Sequence, residues 1–145
     1  MNTISLIKSR LIAPCGMNCA VCMGRLLRDK NKCPGCRENN INKSRNCVKC
    51  VIVNCDNLKK IGSKYCSEEC NYFPCKRLID LDKRYRTKYN MSMLVNLKNI
   101  KELGIRRFVK NEKERWSCRE CGGIICVHRG YCIECGQRKT IQHIY

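Results

Sequence analysis

Between residues 76 and 117 the apolar positions recur with a helical period. Leu78, Leu81, Tyr85 and Tyr89 fall three and four apart, one stripe on a helix that begins near Pro74, a residue suited to a first helical turn. Asp80 with Arg84, and Asp82 with Arg86, stand four apart and are expected to pair along its surface. Ser92 is placed to cap a second helix that turns Met93, Leu97 and Ile100 inward. Gly104 is expected to close that helix in the left-handed conformation, followed by apolar Ile105. A third short helix carries Ile105, Phe108 and Val109 towards Trp116. Helices of this length are marginal in isolation, so they must dock on one another and on whatever holds the remaining chain.

Outside this stretch the periodicity stops and cysteine takes over. The chain has 145 residues and 16 cysteines, eleven between Cys15 and Cys75 and five between Cys118 and Cys135. Leu, Ile, Val and Phe together number 33, enough for small clusters but thin for a large core. A chain so built needs staples. This composition excludes a large barrel enzyme, collagen and a coiled coil. The first ten residues contain no apolar run of signal-peptide length, and no stretch approaches the about 18 apolar residues of a membrane span. The expected setting is therefore the reducing cytoplasm, where thiols stay free for metal. The tight C-x2-C and C-x3-C pairs agree, because such neighbours are badly placed to bridge each other and well placed to grip one ion.

Two stretches share one spacing: Cys33-x2-Cys36, ten residues, Cys47-x2-Cys50, and Cys118-x2-Cys121, ten residues, Cys132-x2-Cys135. Two such turns bring four thiolates into a tetrahedron that suits Zn²⁺, and the second stretch reads as a zinc ribbon or knuckle. Gly122 and Gly136 follow the second cysteine of each C-terminal pair, and Gly35 lies inside the first pair, where glycine permits the turn that aims N–H groups at sulfur. A third thiol follows five positions on in Cys47-x2-Cys50-x4-Cys55, Cys66-x3-Cys70-x4-Cys75 and Cys118-x2-Cys121-x4-Cys126. Cys55 or Cys126 can therefore replace a partner in these pairings, as can His128. The triplet Cys15-x3-Cys19-x2-Cys22 is similar to the three-cysteine loop of radical-SAM enzymes, which holds a [4Fe–4S] cluster, although the chain has no room for their barrel. A fourth ligand from Cys55, Cys66, Cys70 or Cys75 would make it a closed iron–sulfur or zinc site.

The order of these motifs resembles an uncharacterised cysteine-rich prokaryotic family, domain of unknown function number 3795. The matching pieces are Cys15-Gly16-x2-Cys19-x2-Cys22, Cys33-x-Gly35-Cys36, Cys47-x2-Cys50-x4-Cys55 and Cys66-x3-Cys70-x2-Phe73-Pro74-Cys75. A longer subgroup continues as here, through Leu81-Asp-Lys-Arg-Tyr-Arg-Thr-Lys-Tyr89, Met91-Ser-Met93 and a ribbon at Cys118 to Cys135. The resemblance implies metal binding in a prokaryotic, often anaerobic, cytosolic setting, which favours iron–sulfur. It implies no activity.

Charge completes the picture. There are 30 Lys+Arg against 12 Asp+Glu, a formal net charge of +18. Residues 76–116 hold 13 basic and 5 acidic side chains, the densest basic stretch. Four zinc sites of four thiolates, each leaving −2, would still leave about +10. Such a surface suits phosphate backbone, and Lys83, Arg84, Arg86, Lys88, Arg106 and Arg107 are its expected contacts. Two histidines, no paired carboxylates and no phosphate-cradling glycine loop give no support for an enzyme or a small-molecule substrate.

The expected protein is a small α and irregular, metal-stabilised fold. It has a cysteine-rich metal-binding lobe (1–75), a basic helical segment (76–117) and a C-terminal zinc ribbon (118–145). It would hold several Zn²⁺ ions and one [4Fe–4S] cluster at most, and bind RNA or the ribosome. The alternatives are an iron–sulfur electron carrier or cofactor-assembly accessory that meets an acidic protein partner, and a zinc-structured adaptor.

Overall fold

A computed structural model describes residues 6–139. Within them the cysteine-rich half forms three short helices, α1 (Met23–Leu26), α2 (Arg45–Val48) and α3 (Asp56–Ile61). Three longer helices follow: α4 (Lys76–Lys88), α5 (Met93–Leu103) and α6 (Ile105–Arg115). Among the described residues no sheet forms; the C-terminal part is a series of turns tied by isolated bridges, Ser117 to Ile124, Ile125 to Cys132 and Tyr131 to Arg138. No described helix is long and apolar enough to cross a membrane.

The helices follow the apolar spacing, with instructive departures. α4 starts after Pro74, with Cys75 as its N-cap. Leu78 is fully buried, while Leu81, Tyr85 and Tyr89 are half-buried along the same stripe. Asp80 pairs with Lys76 at 2.7 Å, so the expected partner Arg84 is left to stack on the Tyr85 ring at 5.7 Å. Asp82 does meet Arg86, at 3.3 Å, but it is buried and not on the surface. The reason lies at the start of α5. There the Ser92 hydroxyl accepts from Val95 N–H at 3.1 Å, and the Asp82 carboxylate accepts from Leu94 N–H at 3.1 Å and from the Ser92 hydroxyl. One acidic side chain of α4 thus satisfies donors that α5 leaves open. Gly104 ends α5 with φ +82° and ψ 158°, an extended glycine conformation and not the left-handed one; its N–H reaches Ile100 O at 2.9 Å, and α6 starts directly after it.

The hub of the fold is residues 11–21, every one of them buried. This segment bonds to each neighbouring part. Asn96 of α5 donates to Gly16 O at 2.9 Å, and Asn18 donates to Glu112 of α6 at 3.4 Å. Cys66 N–H reaches Pro14 O at 2.9 Å, and Val127 N–H reaches Val21 O at 2.9 Å. Around these bonds Leu11, Ile12, Val21, Leu78, Met93, Leu97, Phe108, Trp116 and Ile124 form one core. Gly16 sits at its tightest point: φ is +91°, and a Cβ there would stand 2.9 Å from Met93 O and 3.1 Å from Leu97. Gly16→Ala is expected to cost roughly 2–4 kcal/mol, from left-handed strain plus overpacking. Urea unfolding at fixed metal content measures it, and an unchanged midpoint would exclude this packing.

Candidate metal centre

The C-terminal cysteines are arranged by two turns of the same design. Gly122 N–H bonds to Cys118 O and Gly136 N–H to Cys132 O, each at 2.9 Å; Cys118 N–H reaches Gly123 O at 2.7 Å and Cys132 N–H reaches Gln137 O at 2.9 Å. Gly122 and Gly136 take φ +76° and +78°, which any other common residue adopts only at a cost, and this explains the glycine after each pair. The turns face each other and bring four sulfurs together. Cys118 and Cys135 lie 3.6 Å apart and Cys121 and Cys132 lie 3.5 Å apart, with all four sulfurs within 4.8 Å of one another. A tetrahedron of sulfurs about 2.3 Å from a central ion has edges of about 3.8 Å, so the set has the dimensions of a single tetrathiolate site. These four cysteines can hold a metal ion.

The electrostatics fit a cation. Without one, four close thiols cannot all ionise, so their protons divide unevenly. Backbone N–H groups, that of Cys121 foremost, lower Cys118 to about 7. Cys121 feels the Gly123 N–H, but the Cys132 thiol and the other sulfurs outweigh it and push Cys121 up to about 12. Gly123 and Glu134 N–H groups point at the sulfurs of Cys121 and Cys132, both at 3.4 Å. Donors aimed at sulfur spread the negative charge of a metal-bound thiolate.

Gly123 is a residue that the spacing did not single out. A Cβ on it would meet the Cys132 sulfur at 2.8 Å and Glu134 at 2.7 Å. The Gly-Gly pair after Cys121 was the available signal. Gly123→Ala is expected to weaken metal binding about 10–100-fold by displacing one ligand. Competition against a chromogenic chelator reads this out, and unaltered affinity would contradict the geometry.

The remaining candidates fall elsewhere. Cys126 is fully buried, its N–H bonded to Tyr131 O, and its sulfur is not one of the four. His128 uses both ring nitrogens within the fold. Nδ1 accepts from Met23 N–H at 3.2 Å, so the neutral ring carries its proton on Nε2, 2.8 Å from the Tyr85 hydroxyl. Burial, and then Arg129 and Arg84, lower its pKa.

The eleven cysteines of the first half act on one another electrostatically, but no three of them bring their sulfurs within 4.8 Å of one another. Burial raises the Cys15 thiol first, and then Cys36, Cys50 and Cys66. Cys19 donates to Cys36 at 3.4 Å, which lowers Cys36 to about 7 and raises Cys19. Cys22 is pushed up to about 11 by burial and then by Cys33, Cys47 and Cys36. Cys66 is pushed up to about 11 by burial and then by Cys75, Cys55, Cys70 and Cys50. All three cysteines of the Cys15–Cys22 triplet feel Cys36, and Cys22 also feels Cys33 and Cys47. Cys36 acts on both Cys15 and Cys22, Cys50 acts on Cys15, and Cys33 and Cys47 act on Cys22. Among the described residues, the C-terminal four are the one group of three or more His, Cys, Asp or Glu whose ligand atoms lie within 4.8 Å of one another.

The six basic residues expected to meet phosphate, Lys83, Arg84, Arg86, Lys88, Arg106 and Arg107, are all exposed. Tyr85 and Tyr89 are not free rings between them, for both are half-buried and pack edge-on against His128, with centroids 5.5 and 4.9 Å away. A groove of about 750 Å³ opens between α5, α6 and the C-terminal turns, but charges of both signs line it, Lys98, Arg119 and Arg138 beside Glu102, Glu114 and Glu120. No family model, no curated protein and no solved structure matches the chain.

Proposed function

We propose that the protein is a metal-folded, basic cytoplasmic module that binds RNA or the ribosome, with zinc held by Cys118, Cys121, Cys132 and Cys135. The observation that carries the RNA reading is uncompensated charge. Lys83, Arg84 and Lys88 on α4, and Arg106 and Arg107 on α6, are exposed and form no ion pair among the described residues. Arg86 adds a sixth cation, shared with Asp82. Cations left open on ordered helices match a phosphate backbone, where binding releases counterions. The half-buried tyrosines, packed against His128, argue for backbone contact without base stacking, hence for shape and charge over sequence. Zinc is the choice for the quartet because a closed set of four thiolates suits a redox-inert ion with a structural role.

Kinship with domain of unknown function number 3795 belongs to the same proposal and rests on the order of the motifs from Cys15 to Cys75. A second reading, an iron–sulfur protein that carries electrons or serves cofactor assembly, draws on Cys55, Cys66, Cys70 and Cys75. RNA retained by the native protein at physiological salt, and removed by nuclease, supports the first reading. Its absence there, with binding only at low salt, removes it.

A further inference from the structure

Four cysteines from separate parts of the first half line one cavity. Cys55 precedes α3, Cys66 and Cys70 lie on the loop after it, and Cys75 is the N-cap of α4. The cavity measures about 60 Å³, and Ile52, Leu58, Phe73 and Leu78 supply an apolar wall. The Cys75 side chain makes no capping hydrogen bond to α4, so its sulfur is left for the cavity, at the end of a 13-residue helix that favours a thiolate.

The dimensions separate this site from the C-terminal one. There, four sulfurs close to within 4.8 Å; here, no three of the four cysteines do. A single zinc ion needs edges of about 3.8 Å and leaves no void between the sulfurs. A water takes about 10–15 Å³ of cavity volume, so 60 Å³ has room for several atoms. A cubane cluster carries each iron outward from its centre, and the thiolates that hold it stand correspondingly farther apart. Apart from Arg77 and the four cysteines, the lining is apolar, and an apolar shell limits solvent at such a cluster.

We propose that Cys55, Cys66, Cys70 and Cys75 form a second thiolate centre that holds a [4Fe–4S] cluster. The cluster occupies the apolar cavity between α3 and the start of α4, with one cysteine on each iron. It is separate from the zinc quartet and independent of RNA binding. The Cys15–Cys22 triplet is not its ligand set, because none of its three cysteines lines that cavity.

Full-length protein purified without oxygen tests this directly, by iron, acid-labile sulfide and zinc analysis together with visible absorption. The expected result is about four irons and four sulfides per chain, with a brown chromophore. Cys70→Ala is expected to remove iron, sulfide and colour while the zinc of the C-terminal quartet remains. Cys118→Ser is expected to do the reverse. Wild-type protein that contains zinc but no iron or sulfide overturns the proposal, whatever the variants do. So does a chromophore that survives Cys70→Ala and disappears with Cys19→Ala.

Discussion

Cys118→Ser is expected to lower bound zinc by one equivalent per chain and to unfold residues 117–139 before the helices. The size of the effect follows from how little else holds this part. It has isolated bridges but no strand, and its own apolar side chains are few: Ile124, Ile125 and Val127 reach the shared core, while Cys121 and Cys135 face solvent. In such a module the metal supplies folding energy, about 10 kcal/mol or more per structural zinc. Whole-domain stabilities are about 5–15 kcal/mol, so the loss is comparable with everything that keeps the chain folded. Hydrogen exchange should lose protection first at the Ile125 and Val127 amides, which bond to Trp116 and Val21. The helices lose less, because Phe108, Val109, Leu97 and Leu78 pack among themselves. Unchanged zinc content, or loss of protection that begins in α4–α6, would show that the quartet does not hold this part together.

The second large effect concerns salt. If about six phosphates are contacted, the logarithm of the RNA affinity should fall with the logarithm of salt at a slope of roughly −4 to −5. Between 50 and 200 mM salt that is a loss of about 300-fold or more. Replacing Lys83, Arg84 and Arg86 together by alanine should bring the slope to about −2 and leave metal content intact, since none of the three offers a metal ligand. Removing Arg86 also takes a partner from buried Asp82, so a second triple variant, Lys83, Arg84 and Lys88 to alanine, separates charge from stability. A slope unaltered in both variants means that the anion binds elsewhere on the molecule.

The helical segment could be read from its residues because local rules govern it. Ser92, Met93, Leu97 and Ile100 act as their spacing implies, and so do Phe108 and Val109. Asp82 was misplaced because its role depends on a helix ten residues away, whose open N–H groups no local pattern reveals. The C-terminal quartet was likewise local: two identical turns, each with its own glycine, need only to meet. The first half was not local. Its thiol neighbourhoods interleave, with Cys36 acting on Cys15, Cys19 and Cys22 alike, and spacing does not encode which turn faces which. The hub at residues 11–21 was equally hidden, because the closeness of Gly16 to α5 is a tertiary fact that a glycine beside a cysteine does not announce.

Thiol alkylation mapped residue by residue, before and after chelation, tests the metal quartet most directly. Cys121 and Cys135 are exposed, and as free thiols they would react at once. The account predicts that both, together with Cys118 and Cys132, resist alkylation in the purified protein and become reactive as a group when a chelator removes one metal ion. Rapid alkylation of Cys121 and Cys135 in protein that keeps its full metal content would contradict it.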